Sequence, residues 1–115
     1  MINAIKRFFL NIYIKRIAFP KFNEGNIKRY FIDYSGKVQK VGFRDQIRIL
    51  AGLLNITGYI RNISNNRVIT EIQGPQEKLD FLVRVINEEK RFRLDEVKLE
   101  EIIPVQENRF VIIKI

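Results

Sequence analysis

The chain has 115 residues, which fits one domain, and its 46% hydrophobic content suits a packed core and excludes a disordered composition. It contains no cysteine and no histidine, which excludes disulfides, thiolate nucleophiles, histidine general bases and the usual zinc sites. The formal charge is +8, but residues 1–29 hold seven basic side chains against one acidic one, so nucleic-acid binding does not follow from the overall charge.

Residues 1–27 form a basic and aromatic N-terminal extension that precedes a compact unit at residues 28–115. Its apolar side chains at Ile5, Phe8, Phe9 and Ile12 have helical spacing. We predict a helix that packs on the domain or on another copy of the chain, with a membrane-surface helix or a disordered tail as the alternatives. No cleavable signal is expected, and the lack of cysteine fits a reducing compartment, so the predicted location is cytoplasmic.

The first predicted strand and helix flank a loop with two glycines. Residues 29–34 are aromatic and apolar and predict a strand, and residues 36–43 predict the loop. Residues 44–54 predict a helix, because their apolar side chains recur at i, i+3, i+4 and i+7. These side chains are Ile47, Leu50, Ala51 and Leu54. Asn55 then stands where helices often end in a left-handed residue.

A hairpin is predicted next, with strands at residues 58–63 and 68–73. Residues 64–67 read Ser-Asn-Asn-Arg, a tight turn built from residues that tolerate positive φ. Gly74 and Pro75 then open a second helix, with the proline at its favoured first position. That helix should end near Glu89.

The second helix has its apolar side chains at Leu79, Leu82, Val83 and Ile86. Strands at residues 96–103 and 109–115 complete the chain. The predicted order is βαββαβ with a short extra strand. We therefore predict an α+β ferredoxin-like fold, with two helices on one face of an antiparallel sheet.

The loop between the first strand and helix is the strongest candidate for chemistry. It reads Gly36-Lys37-Val38-Gln39-Lys40-Val41-Gly42-Phe43-Arg44. Backbone N–H groups converge where a strand meets a helix N-terminus, and both the amides and the helix dipole favour an anion there. Arg44 could add a two-pronged contact to phosphate. The alternative is a plain connector with a surface arginine.

Asn62 ends the second strand, which this topology brings close to the first loop. An asparagine amide both donates and accepts hydrogen bonds, so it could hold a water in line with a bound phosphate. Its alternative role is to cap the hairpin turn. Neither residue by itself separates a binding site from ordinary structure.

Together the motifs give residues 30–115 a resemblance to the acylphosphatase family. That family's first signature, G-x-V-Q-G-V-x-F-R, corresponds to residues 36–44, and its second, G-W/Y-V-R-N-x-x-D/N-G-x-V, corresponds to residues 58–68. A Gln-Gly-Pro sequence follows at residues 73–75. The resemblance implies hydrolysis of acyl phosphates, with no metal or cofactor. It also implies Arg44 as phosphate binder and Asn62 as the residue that positions water.

The resemblance further implies a phosphate cradle made by the backbone of Gln39, Lys40, Val41, Gly42, Phe43 and Arg44. Inorganic phosphate or another anion should occupy the same site. Lys40 replaces the family's glycine inside the cradle, and Asn66 replaces the turn glycine, a mild change. If residue 40 needs positive φ, lysine would strain the cradle, whereas its ammonium group could instead support the phosphate.

Two further classes of function remain as alternatives. One is a weak or inactive anion-binding relative of the same fold. The other is a nucleic-acid or membrane-surface binder that uses residues 1–27. RNA-recognition domains share the topology, but their aromatic signature is missing, and Tyr30, Phe31 and Tyr34 are expected to be ordinary sheet residues. The acidic side chains of Glu88, Glu89, Glu100 and Glu101 are expected to form a solvated surface rather than a metal site.

Overall fold

The structure, a computed structural model, describes residues 20–22, 25–38 and 42–114. Its elements in chain order are β1 Ile27–Lys37, α1 Phe43–Leu53, β2 Thr57–Ser64, β3 Arg67–Pro75, α2 Gln76–Glu88, β4 Arg93–Ile102 and β5 Phe110–Ile113. This order, βαββαβ with an added strand, confirms the predicted α+β ferredoxin-like fold.

The five strands form one sheet in the order β4-β1-β3-β2-β5. The central pairs are antiparallel, as expected, but β5 runs parallel to β2, so the sheet is mixed. Because β1 and β2 both run antiparallel to β3, they are parallel to each other and end at the same edge of the sheet. We call this the front edge; among the described residues it holds Val38, residues 42–44 and residues 62–67.

The core lies between the sheet and the two helices. Alternate residues of β1 are buried on the helix side, among them Ile32 and Tyr34, because successive side chains of a strand point to opposite faces. The predicted apolar positions of both helices are buried, except that Val83 is only half-buried. Burial of each such side chain contributes roughly 1.5–3 kcal/mol to folding, which is why the periodicity located the helices correctly.

Gly36 lies inside β1, not at the start of a loop as the sequence suggested. The strand continues to Lys37 through a register shift between Ser35 and Gly36 in its pairing with β4. Gly36 has a φ of +140°, and a Cβ there would collide with the backbone carbonyl of Arg93. Glycine at this position therefore allows the two strands to approach closely.

The helix ends match the expected chemistry with two corrections. Asn55 has a φ of +55° after α1, as predicted. Asn65 and Asn66 make the hairpin turn without positive φ, since Asn55 is the only such non-glycine residue in the described part of the chain. Pro75 is the N-cap of α2 rather than its first residue, because its ψ of 136° is extended.

Most of the N-terminal extension lies outside the described residues, so the predicted helix at residues 1–27 is not tested. Of its described residues, 20–22 and 25–26 have no regular secondary structure, and Ile27 begins β1. The Phe22 ring packs edge-on against Phe81 of α2, with 5.4 Å between centroids. Among the described residues, no helix is long and apolar enough to cross a membrane.

Candidate functional site

The sheet brings Asn62 and the start of α1 to the same place. Tyr34 of β1 pairs with Val68 of β3, and Val68 pairs with Asn62 of β2, so these residues form one row across three strands. Neighbouring strands are about 4.8 Å apart, which puts the Cα atoms of Tyr34 and Asn62 about 10 Å apart. Side chains that are directly opposite share a face, so Asn62 points to the helix side.

The first turn of α1 lies over this row. The ring of Phe43 packs edge-to-face against Tyr34, with 5.0 Å between centroids and an interplanar angle of 76°. Arg44, the next residue, is half-buried at the same edge. The structure therefore brings Arg44 and Asn62 to the front edge from two different elements.

The N-terminus of α1 has no side-chain cap. Its N-cap is Gly42, which has a φ of +78° and a ψ of 26°. The backbone N–H of Gln46 closes the first turn by donating to the Gly42 carbonyl at 3.0 Å. The one acidic residue of this turn, Asp45, pairs with Arg48 at 3.3 Å. A helix start without a side-chain acceptor can offer its first amides to an anion.

Asn62 has a buried side-chain oxygen, Oδ1, that no described residue satisfies. The hydroxyl of Tyr34 in the same row and Nε2 of Gln46 in α1 are buried without a partner in the same sense. A buried polar atom left unpaired costs about 1–3 kcal/mol. Such atoms therefore need an explanation, and a functional site is one of the usual ones.

Three of the six predicted cradle residues, Gln39, Lys40 and Val41, lie outside the described part of the chain. The other three, Gly42, Phe43 and Arg44, form the N-cap and first two residues of α1. The cradle and the roles of Arg44 and Asn62 therefore remain predictions. In residues 20–22, 25–38 and 42–114, no group of three or more carboxylates is arranged to hold a metal ion.

The sequence did not predict the buried polar side chains that connect the start of α1 to the loop after α2. Gln46 is fully buried, and its Oε1 accepts a hydrogen bond from Nη2 of Arg91 in the loop after α2. Glu89, expected on the solvated surface, is instead buried and paired with Arg91, whereas Glu88, Glu100 and Glu101 are exposed as predicted. The only sequence signal was a glutamine beside the apolar face of α1.

A second polar group on the opposite face of the sheet was also missed. We call it the open-face cluster: Arg29, Thr57, Tyr59, Glu71, Gln73 and Glu107. Arg29, only 3% exposed, donates to Glu71 at 2.7 Å, to Gln73 at 3.0 Å and to Glu107. The hydroxyls of Tyr59 and Thr57 donate to Glu71 and Glu107 respectively.

Burial and hydrogen bonding shift the titration of this cluster. Burial opposes the charged form of Glu71, but hydrogen bonds from Tyr59 and Arg29 outweigh it and lower the pKa of that carboxyl. Burial and the hydrogen bond to Glu71 raise the pKa of Tyr59 to about 12. Both shifts favour a protonated phenol beside an ionised carboxylate at neutral pH.

Comparisons with known proteins agree with the fold and with the motifs at the front edge. The family model described as Acylphosphatase matches residues 30–112. The chain is 39% identical over 67 residues to an acylphosphatase of Salinibacter ruber, covering 58% of this chain and 70% of that protein. It is 38% identical over 77 residues to an acylphosphatase of Clostridium acetobutylicum, covering 67% and 80% respectively.

A solved structure has the same architecture. The acylphosphatase from Coxiella burnetii superposes with a TM-score of 0.70 at 28% identity, covering 76% of this chain and 93% of that one. The similarity extends over nearly the whole length of that relative. The two proteins therefore share one α+β architecture.

Proposed function

The chain belongs to the acylphosphatase family and is an enzyme of that class, and from this premise we propose how it works. It hydrolyses acyl phosphates to a carboxylate and inorganic phosphate without a metal ion. Arg44 and the amides of residues 39–44 bind the phosphate, and Asn62 positions the attacking water.

Phosphate binding at the start of α1 is supported by charge and geometry. The uncapped amides and the helix dipole favour an anion at this end of the helix. Arg44 lies in the first turn, where its guanidinium can give two parallel hydrogen bonds to phosphate oxygens. Asp45 is the acidic residue of this turn, and its pairing with Arg48 reduces its repulsion of the phosphate.

Water positioning by Asn62 is supported by its unsatisfied oxygen. Oδ1 is buried on the helix side of the sheet and accepts no hydrogen bond from any described residue. A water that donates one hydrogen to Oδ1 would be fixed in orientation, with a lone pair free to face the phosphorus. Such alignment converts binding energy into rate without a general base.

The reaction needs little else. The water oxygen forms a bond to phosphorus while the bond from phosphorus to the acyl oxygen breaks, and the carboxylate leaves with the electron pair. Both protons of the water end on the phosphate, giving dihydrogen phosphate. A carboxylate is a good leaving group and needs no general acid, so charge stabilisation by Arg44 and the amides is the main requirement.

The observation that carries the proposal is the convergence of Arg44 and Asn62 on the front edge. The test is hydrolysis of benzoyl phosphate by the purified full chain, before and after dialysis against EDTA. We expect turnover that survives dialysis and is inhibited competitively by inorganic phosphate. Activity that requires added magnesium or zinc would contradict the metal-free mechanism.

The Lys40 substitution favours one rival, an inactive relative that only binds anions. The same samples separate the two functions, because phosphate binding can be followed by ³¹P NMR. Phosphate binding without any hydrolysis of benzoyl phosphate would support the rival. Binding together with turnover supports the enzyme.

A further inference from the structure

The first turn of α1 is connected to the loop between α2 and β4, residues 89–92. Gln46 uses its backbone N–H to close that turn on the Gly42 carbonyl, at 3.0 Å. Its side-chain Oε1 accepts from Nη2 of Arg91. The residue that closes the turn is therefore also the one that the loop holds.

Arg91 is itself fixed by its neighbours. Its backbone N–H donates to Oε1 of Glu89 at 2.9 Å, and its side-chain Nε lies 3.3 Å from the same oxygen. Its guanidinium carbon lies 5.3 Å from the centroid of the Phe92 ring. Glu89 is buried while the Arg91 side chain is 39% exposed, so the buried carboxylate anchors one side of the guanidinium and holds it toward Gln46.

The aromatic rings make a second connection between the same two segments. Phe92 packs edge-to-face on Phe43, the first residue of α1, with 4.8 Å between centroids and an interplanar angle of 81°. Phe43 packs on Tyr34 of the sheet in turn. The turn that carries Arg44 is thus held at Phe43 by rings and at Gln46 by a hydrogen bond.

Core stability does not explain why residue 46 is polar. Gln46 is fully buried, and its Nε2 has no hydrogen-bond partner among the described residues. A leucine of similar size would remove that unpaired N–H and keep the apolar contacts. What the glutamine supplies and a leucine would not is the side-chain oxygen Oε1, which accepts the hydrogen bond from Arg91.

We propose that Gln46 and Arg91 are positioning residues for the phosphate site. Through them, residues 89–92 set the direction of the first turn of α1, and with it the direction of its amides and Arg44. Neither side chain touches the phosphate. The proposal rests on the proposed function for its kinetic consequences, but the structural link can be measured without it.

The test uses the full chain with Gln46→Leu, Arg91→Met and the double variant. Arg84→Met is the matched control, because Arg84 of α2 also lies over a phenylalanine ring, Phe81, at 5.4 Å. We expect each single variant to lower kcat/KM for benzoyl phosphate by about tenfold, within the loss that a small misplacement causes. The double variant should lose no more than the worse single variant, and Arg84→Met should behave as the wild type.

Two further measurements distinguish positioning from a loss of folding. Gln46→Leu should unfold at the same temperature as the wild type or higher, while its dissociation constant for inorganic phosphate rises. The backbone amide at position 46 should exchange with solvent faster in both single variants. Gln46→Glu keeps an oxygen that accepts from Arg91, so it should recover most of the phosphate affinity.

Wild-type phosphate affinity and exchange rate in both single variants would overturn the proposal. Losses that multiply in the double variant would also overturn it, since Arg91 would then act independently of Gln46. If the wild type neither hydrolyses benzoyl phosphate nor binds phosphate, the proposed function fails. In that case the exchange rate at position 46 alone decides whether the link exists.

Discussion

The front edge and the open-face cluster are both polar, but they satisfy their polar atoms very differently. In the open-face cluster, Arg29 has a carboxylate or amide partner for both Nε and Nη1, and the two hydroxyls of the cluster donate to its carboxylates. At the front edge, Asn62 has a buried oxygen without a partner among the described residues, and so has Tyr34 in the same row of the sheet.

This difference indicates different roles. A closed network of charges holds the ends of β1, β2 and β3 together with Glu107 of the segment before β5, so its loss should affect stability. Unsatisfied buried atoms lower stability, and proteins retain them mainly where function needs them. The predictions that follow test whether stability and catalysis separate in this way.

The largest effect should come from Arg29→Met. It leaves Glu71 and Glu107 partly buried without their cation, and loss of one partner of a buried pair costs about 3–5 kcal/mol in free energy of unfolding. Urea unfolding measures this, and turnover per folded molecule should be unchanged. Lys28→Met is the control, because the neighbouring Lys28–Glu101 pair is exposed and should contribute less than about 1 kcal/mol. Equal losses in the two variants would contradict the special role of the open-face cluster.

Arg44→Ala should lower turnover and leave stability nearly unchanged, the opposite of Arg29→Met. Loss of one charged phosphate contact should lower kcat by about 10²–10³, by analogy with removal of one oxyanion donor. The free energy of unfolding should change by less than about 0.5 kcal/mol, because the side chain is polar, only half-buried and at the helix start. Arg84→Ala, at an exposed position of α2, controls for the loss of one positive charge. Near-normal turnover in Arg44→Ala would show that the phosphate binds elsewhere.

Asn62→Ala should lower kcat by about 10²-fold but leave the dissociation constant for inorganic phosphate unchanged. The reason is that Asn62 is assigned to the water, whereas Arg44 and the amides hold the phosphate. Steady-state kinetics and ³¹P NMR titration measure the two quantities. Asn66→Ala, an exposed turn residue, is the control. A parallel loss of phosphate affinity in Asn62→Ala would refute the division of roles.

A smaller effect on the free energy of unfolding is expected when the pH is lowered. The pKa of Glu71 is lower in the folded chain, so its contribution to stability is present above its unfolded pKa of about 4.3 and is lost as pH falls through the folded value. The free energy of unfolding of the wild type, measured in urea, should therefore decrease below about pH 4.5. In Glu71→Gln the free energy of unfolding should depend less on pH in that window. Asp33 titrates in both proteins, so its contribution cancels when the two are compared. Identical slopes would mean that Glu71 is not coupled to folding.

The smallest effect should be that of Lys40→Gly in the predicted phosphate cradle. Glycine takes a left-handed conformation without strain, so kcat/KM and stability should both rise, the latter by about 1 kcal/mol. Kinetics at two ionic strengths distinguish this from a direct role of the ammonium group. A lower kcat/KM in the glycine variant, with a deficit that shrinks as salt rises, would instead favour support of the phosphate by Lys40.

Several elements were predictable because their causes are local. The buried positions of α1 and α2 follow from the 3.6-residue period, and Asn55 ends α1 in the left-handed conformation that its short polar side chain tolerates. The extension of β1 through Gly36 was not predictable. It depends on a close approach to Arg93, more than fifty residues away in the sequence.

By itself the sequence determined the order of elements, the apolar faces and the two motifs that carry Arg44 and Asn62, since these depend on spacing along the chain. Only the tertiary structure decided that Asn62 shares a row with Tyr34, that Gln46 meets Arg91, and that Arg29 is enclosed by carboxylates. Those contacts join residues from distant elements. Polar partners of this kind leave no period in the sequence, because a hydrogen bond requires only that two atoms meet when the sheet and helices pack.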